Sequence, residues 1–104
     1  MQFVIGWLML KPGKREEFMP LAKAHEAATQ KEDGCLFYEW HPSASDKNVM
    51  VLIEGWKTPQ HHQAHQGAPH HLALGQAVGQ YAVSGTFEEI EAARVVTQRP
   101  QFGG

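Results

Sequence analysis

The sequence contains little cysteine, no excess of basic charge and no long apolar run. Cys35 is the only cysteine, which excludes an internal disulfide framework and a multi-cysteine zinc or iron–sulfur site. Nine Lys and Arg residues against eleven Asp and Glu residues leave a net charge of −2, so nucleic acid is not an expected partner. The apolar run over residues 3–10 is shorter than the ~20 residues that span a bilayer, and it lacks the basic start and cleavage site of a signal peptide. We therefore expect a cytoplasmic protein without a membrane contact.

Motifs for nucleotide cofactors and for serine hydrolases are also missing. The sequence has no G-x-G-x-x-G, no Walker A motif and no G-x-S-x-G. Histidine, in contrast, occurs seven times, and five of these residues lie between positions 61 and 71. His61 and His65 have the i, i+4 spacing of two ligands on one helix face, but no motif fixes a third ligand. We expect neither a metal nor a cofactor, and we look for chemistry among the histidines.

Apolar periodicity and turn residues predict alternating strands and helices. The predicted strands cover residues 2–10, 35–41, 49–56 and 82–91. A helix is predicted over residues 14–31, with Gly34 in the left-handed position that ends it. Thr58 as N-cap and Pro59 begin a short helix that stops at Gly67, and Pro69 begins another. The order β-α-β-β-α-β predicts an α+β, ferredoxin-like single domain over residues 1–93, followed by a C-terminal tail over residues 94–104.

The first three predicted strands are apolar on both sides. In the first strand, Val4 and Leu8 point to one side while Ile5 and Trp7 point to the other. A ferredoxin-like sheet has its helices on one face only, so its second face would be a large exposed apolar patch. A two-fold homodimer that joins two such sheets face to face is the simplest way to cover that patch.

Glu54 is unusual because it is a carboxylate at the end of an otherwise apolar strand. Such a group either ionises beside a partner or has a raised pKa. Eleven residues later, His65 lies on the next helix, from which it could fold back over this strand end. Contact with Glu54 would then fix the tautomer of His65 and prepare it as a general base. The structural alternative is that Glu54 only satisfies backbone donors or an arginine.

His70 follows Pro69 at the start of the next predicted helix. The positive end of that helix favours a neutral imidazole, which could act as an electrophile or donate to an anionic oxygen. A solvated residue in the first helical turn is the alternative interpretation. Cys35 lies within a predicted strand without an activating neighbour, and we interpret it as a core residue.

Aromatic residues are concentrated on the predicted sheet and beside it. They could line a pocket between the sheet and the helices that favours a flat, apolar ligand. Core packing is the alternative explanation for each of them. The residues are Trp7, Phe37, Tyr38, Trp40, Trp56 and Tyr81.

Two segments resemble a known family. The run Glu54-Gly-Trp56, followed by His65-Gln-Gly-Ala-Pro69-His70, resembles the E-x-W and H-x-x-x-P-H signature of the antibiotic biosynthesis monooxygenase family. The run Glu32-Asp-Gly-Cys-Leu-Phe-Tyr38 is similar to the E-x-G-C-x-x-Y entry of that family into its second strand. The resemblance covers residues 2–90. It implies a ferredoxin-like homodimer, a dimeric α+β barrel, with one pocket in each subunit.

The resemblance implies several candidate activities. Family members include cofactor-free oxygenases of phenols and quinols, haem-degrading enzymes, an isomerase of a phosphorylated autoinducer and proteins without a known reaction. By resemblance, Trp56, His65 and His70 match positions near the pocket, and Glu54 matches the acid of the signature. The haem-degrading branch fits poorly, because the chain has Ile-Gly-Trp at 5–7 where that branch has an asparagine, and Leu-Gly-Gln at 74–76 where it has a ligand histidine.

The first functional hypothesis is a cofactor-independent monooxygenase that oxidises a small aromatic phenol or quinol with dioxygen. His65 would accept a proton or stabilise the substrate anion, and Glu54 would orient His65. Trp56, Tyr38 and Trp7 would contact the substrate as pocket walls. The alternatives are a non-oxidative isomerase that uses the same pocket and a non-catalytic dimer that binds a hydrophobic metabolite. Oxygen consumption would distinguish the monooxygenase from the isomerase, and saturable ligand binding without product would favour the non-catalytic dimer.

Overall fold

The computed structural model describes residues 1–103, and it confirms the predicted order of elements. Every pair of neighbouring strands is antiparallel, and the sheet order is β2-β3-β1-β4, which is that of a ferredoxin-like fold. A single 3₁₀ turn precedes the last strand. The elements are β1 (Gln2–Leu10), α1 (Arg15–Thr29), β2 (Cys35–Pro42), β3 (Val49–Trp56), α2 (Pro59–Gln66), α3 (Pro69–Ala77), the 3₁₀ turn (Val78–Gln80) and β4 (Ala82–Glu91).

The core lies between the helices and one face of the sheet. On β1 the side chains of Val4, Leu8 and Leu10 are buried there, as their period-2 spacing predicts. Helix α1 contributes Phe18 and Ala22, which lie one turn apart on its buried face. Burying a large apolar side chain stabilises the fold by about 1.5–3 kcal/mol, so these contacts hold the helices against the sheet.

The segment after α1 differs from its prediction. The helix ends at Thr29 rather than at residue 31, and Gly34 lies in a separate turn instead of capping the helix. Gly34 does adopt the left-handed conformation, with φ of +78°, and a Cβ there would overlap the ring of His61. Its carbonyl also accepts a hydrogen bond from the amide of Lys57 at 2.9 Å. This turn therefore packs directly against the start of α2.

The two short helices start as predicted. The hydroxyl of Thr58 accepts a hydrogen bond from the His61 amide at 3.2 Å, and Pro59 occupies the first turn of α2. Pro69 has the same place in α3. The amide of Ala68 donates to the carbonyl of His65 at 3.0 Å and fixes the bend between the two helices.

The outer face of the sheet is apolar and is not covered by the helices. Trp7 and Met9 are 36% and 40% exposed, and the rings of Phe3 and Phe37 stack with their centroids 5.9 Å apart. The predicted second apolar face is thus confirmed within this single chain, whereas the homodimer that would cover it stays a prediction.

The chain after β4 carries no helix or strand through residue 103. The predicted tail begins within this stretch, and its last residue, Gly104, lies outside the described residues. The division into a domain over residues 1–93 and a tail remains a prediction. Among residues 1–103, none of the helices combines the length and the apolar character that a membrane crossing requires.

Candidate active site

A cavity of about 620 Å³ separates the inner face of the sheet from α2 and α3. Strands β1, β3 and β4 form its floor with Val4, Leu52 and Phe87, and Leu74 and Val78 cover it from the other side. The walls are mostly apolar, and the volume lies in the range of small-molecule sites. The pocket between sheet and helices that the aromatic residues predict is therefore present.

Glu54 provides a carboxylate on the wall of this cavity. It stands on β3 opposite Val4 and Tyr38 in the neighbouring strands, and only 5% of the residue is exposed. The indole Nε1 of Trp56 donates a hydrogen bond to its Oε1 at 3.0 Å. Burial raises the pKa of Glu54 to about 7, while the Trp56 hydrogen bond acts in the opposite direction. This agrees with the expectation of a raised pKa for a carboxyl group among apolar neighbours.

His62 is a cavity residue that the sequence analysis missed. It is 6% exposed, its Nε2 lies 3.8 Å from Oε1 of Glu54, and its Nδ1 lies 3.3 Å from Oε1 of Glu89. Burial lowers the pKa of His62, and the Glu89 carboxylate opposes that shift. One signal was available, because positions 62 and 65 are three residues apart and share a helix face.

The predicted contact between Glu54 and His65 is wrong. His65 is 1% exposed, and its Nδ1 donates instead to Oε2 of Glu32, in the turn after α1, at 2.6 Å. Its ring lies behind the cavity wall and packs on Trp56, with centroids 4.9 Å apart. Burial lowers the pKa of His65, although the hydrogen bond to Glu32 raises it.

His70 shares the same carboxylate. Its Nε2 donates to Oε2 of Glu32 at 2.9 Å, so Glu32 joins two imidazoles from two helices. His70 lines a second, shallower cavity of about 360 Å³ between α1 and α3, together with Leu21 and Ala73. The structure therefore brings His65 and His70 together, but it holds both away from Glu54.

The three aromatic residues predicted as ligand contacts have different locations. Tyr38 lines the main cavity, as predicted, and Trp40 from the same strand lines it too. Trp56 is fully buried beneath Glu54 and reaches the cavity only through its hydrogen bond. Trp7 points to the outer face of the sheet, so its prediction as a wall of this cavity is wrong.

Several potential metal ligands lie close together behind the cavity, but they do not include the His61–His65 pair that has ligand spacing in the sequence. His61 is turned away from His65: its Nδ1 lies 2.7 Å from Oγ1 of Thr58, and its Nε2 lies 3.5 Å from Oδ2 of Asp33. Two other groups hold three potential ligand atoms within 4.8 Å of one another. They are His25, His65 and His71, and Glu32, His65 and His70.

The antiparallel sheet, its one-sided helical layer and the cavity between them define a ferredoxin-like α+β protein with an internal apolar cavity. Residues 1–77 match the family described as antibiotic biosynthesis monooxygenase. The chain belongs to that family, as the signature around Glu54 and Trp56 predicts.

Individual relatives agree with this assignment. The chain is 34% identical to "Putative monooxygenase Rv0793" of Mycobacterium tuberculosis over 74% of its own length and 75% of the relative. A solved structure of Rv0793 from the same organism superposes with a TM-score of 0.84 at 26% identity, covering 92% of this chain and 98% of that one. The crystal structure of a "putative antibiotic biosynthesis monooxygenase" from Deinococcus radiodurans, 20% identical, shares the fold with a TM-score of 0.89 over 96% of this chain and 100% of that chain.

One relative extends well beyond the region that this chain matches. The chain is 26% identical to an uncharacterized protein, sll1783, of Synechocystis over 80% of its own length. It spans only 63% of the length of that relative.

Proposed function

We propose that this protein is a monooxygenase that oxidises a small phenol or dihydroquinone with dioxygen, taking the electrons from the substrate itself. The observation that carries this proposal is the carboxyl group of Glu54, which is buried on the wall of an apolar cavity large enough for an aromatic ring system. Membership of the monooxygenase family and the monooxygenase names of its relatives support the reaction class.

Glu54 is the proposed proton acceptor. A base is most effective when its pKa is close to the working pH, and the pKa of Glu54 is raised to about 7. A phenolic hydroxyl with a pKa near ~10 gives up its proton in the pocket when the resulting anion is stabilised there. His62, which lies between Glu54 and Glu89, would pass that proton towards solvent.

The chemistry balances without a further reductant. The substrate anion transfers one electron to dioxygen, and the resulting phenoxyl radical and superoxide combine to a peroxide anion on a ring carbon. This anion takes up one proton through His62 and becomes the hydroperoxide. Loss of water then leaves the quinone-type product, so one oxygen atom enters the product and the other leaves as water. The protein binds the ring in the apolar cavity and accepts the first proton.

His65 and His70 have a positioning role in this proposal. His65 packs on Trp56, whose indole donates to Glu54, so it holds the donor that orients the carboxylate. His70 holds Glu32, the acceptor of the His65 hydrogen bond. Tyr38 remains a wall of the substrate site.

Oxygen uptake with a panel of dihydroquinones and polycyclic phenols tests the proposal. We expect uptake that is stoichiometric with product, and incorporation of one labelled oxygen atom from ¹⁸O₂. Glu54→Gln keeps the shape and removes the base, and we expect at least a ~10²-fold loss of turnover. Glu16→Gln makes the same chemical change at an exposed position on α1, away from both the cavity and the outer face of the sheet, and should leave turnover unchanged.

Two results would refute parts of this proposal. Conversion of substrate without oxygen uptake would replace the oxygenase by the isomerase hypothesis. Equal turnover by wild type and Glu54→Gln would remove Glu54 as the base while leaving the oxygenase reaction in place.

We also propose that the chain works as a homodimer through the outer face of the sheet. That face presents Ile5, Trp7, Met9, Val51 and Ile53, and an apolar surface of this extent usually marks an interface. The single cysteine suits a reducing compartment, and we place the homodimer in the cytoplasm.

A further inference from the structure

Three imidazoles from three different helices meet behind the main cavity. His25 comes from α1, His65 from α2 and His71 from α3. One ring nitrogen of each lies within 4.8 Å of those of the other two. The ring centroids of His65 and His71 are 4.6 Å apart, and His25 lies 5.7 and 5.9 Å from them.

The polar atoms of this cluster lack partners. Both ring nitrogens of His25, Nε2 of His65 and Nδ1 of His71 are buried without a hydrogen bond to any part of residues 1–103. His25 is 4% exposed and His65 is 1% exposed. Buried polar groups in folded proteins are almost always paired, so unpaired ring nitrogens on all three histidines of one cluster indicate a missing partner.

The hydrogen bonds around the cluster leave ring nitrogens available to a metal. Neither ring nitrogen of His25 is used in a hydrogen bond within residues 1–103, and a metal binds the nitrogen lone pair of a neutral imidazole. The carboxylate of Glu32 accepts the Nδ1 proton of His65 and leaves its Nε2 free as an acceptor. A carboxylate behind a ligating histidine is the usual outer shell of protein metal sites.

We propose that His25, His65 and His71 bind one divalent transition metal, with Zn²⁺ as the best match, and that this ion ties the three helices together. Three neutral imidazoles are a zinc-type ligand set, and the fourth position is left open. The group formed by Glu32, His65 and His70 fits less well, because its facing atoms already hydrogen-bond to one another.

A cavity borders the buried site on each of two sides. His71 lines the main cavity, and His25 lines the second cavity between α1 and α3. Zinc–nitrogen bonds of ~2.0–2.1 Å require the three rings to close in further when the ion binds. The proposed oxidation draws no electrons from this ion, and the two proposals share only the positioning residue His65.

Metal titration of chelator-treated full-length protein tests the site. We expect one Zn²⁺ per chain, a rise in Tm on the order of 10 °C at a zinc concentration about 100-fold above Kd, and the visible absorption of four-coordinate Co²⁺ when cobalt replaces zinc. His25→Leu and His71→Leu should each abolish all three. His41→Ala, which removes an exposed histidine on β2, should change none of them.

The leucine variants also separate metal binding from a folding defect. Leucine removes the unpaired nitrogens of His25, so the metal-free variant should unfold at or above the Tm of metal-free wild type. His71 is only half-buried and provides a second, milder variant. Zinc binding that persists in both variants, or the lack of any Tm shift in wild type, would overturn the site. Oxygen uptake by the chelated protein then reports on the proposed function alone.

Discussion

Glu32 and His65 are 33 positions apart in the sequence, and their side chains form a hydrogen bond of 2.6 Å. Glu32 lies in the turn after α1, and His65 is the last but one residue of α2. The same carboxylate oxygen also accepts from His70 on α3. One acidic side chain therefore connects all three parts of the helical layer and sets the tautomers of two histidines.

Removing this carboxylate should destabilise the fold. Glu32→Ala leaves the Nδ1 donor of His65 buried without an acceptor, and such a group costs about 1–3 kcal/mol. We expect urea unfolding to show a loss of stability in that range. Asp33→Ala, one residue further along and 95% exposed at its side chain, is the matched control and should stay within ~0.5 kcal/mol of wild type. Equal stability of the two variants would contradict the bridging role of Glu32.

The raised pKa of Glu54 makes stability depend on pH with a defined sign. Its pKa is about 7 in the folded chain against an ordinary 4.5, so between these values the folded state holds more protons than the unfolded state. Stability contributed by this group is therefore complete below about pH 4.5 and is lost as pH rises through about 7.

Glu54→Gln should remove that loss. Because glutamine stays neutral, we expect the variant to be more stable than wild type by roughly 3 kcal/mol at pH 8, and the gain to vanish near pH 4.5. Denaturant unfolding at a series of pH values measures the difference. Glu16→Gln, at an 85% exposed side chain on α1, is the matched control and should change stability by less than ~0.5 kcal/mol at every pH, and a flat profile for Glu54→Gln would contradict the raised pKa of Glu54.

Gly34 and Gly13 allow steric overlap to be separated from backbone strain. Both have positive φ, +78° and +77°, but a Cβ at Gly34 would meet the ring of His61, whereas one at Gly13 has open space around it. Alanine at either position costs about 1–2 kcal/mol for the left-handed backbone. We expect Gly34→Ala to lose about 1–3 kcal/mol more than Gly13→Ala, because the ring must move. Adding His61→Ala to Gly34→Ala should recover most of this excess in thermal or urea unfolding.

The outer face of the sheet predicts the oligomeric state. Light scattering coupled to size exclusion should give twice the 11.6 kDa chain mass for wild type. Trp7→Glu places a charge in the middle of the apolar face and should yield monomers. Leu72→Glu, at a 54% exposed position on α3, introduces the same charge away from that face and should remain dimeric. A monomeric wild type would refute the proposed homodimer.

The fold could be predicted because its signals are local. The two-residue alternation of β1, the Thr58–Pro59 start of α2 and the Pro69 start of α3 each depend on neighbouring residues, and β3 and β4 have the predicted bounds. The end of α1 was predicted less accurately, because Gly34 does not cap the helix but packs against the ring of His61.

The site was harder to predict because its contacts join distant parts of the chain. The sequence identified Glu54 and the histidine-rich segment, but it paired His65 with the nearest acid instead of Glu32. The role of Glu32 depends on how the turn after α1 meets α2, which no periodicity encodes. For Trp7 two sequence signals disagree, because its aromatic ring favours a ligand contact whereas its alternation with Ile5 places it on the outer face, and the structure follows the alternation.

The hydrogen bond from Trp56 to the buried Glu54 has a consequence for protein engineering. At neutral pH the ionised carboxylate is a costly group to keep in an apolar wall, and substitutions that raise heat resistance tend to accumulate at such costly sites. Laboratory evolution for thermal tolerance alone would be expected to replace this acid early, by glutamine or a hydrophobic residue. The survivors would keep a well-formed cavity and lose the proposed proton acceptor, so a selection of this kind needs a turnover assay at every round.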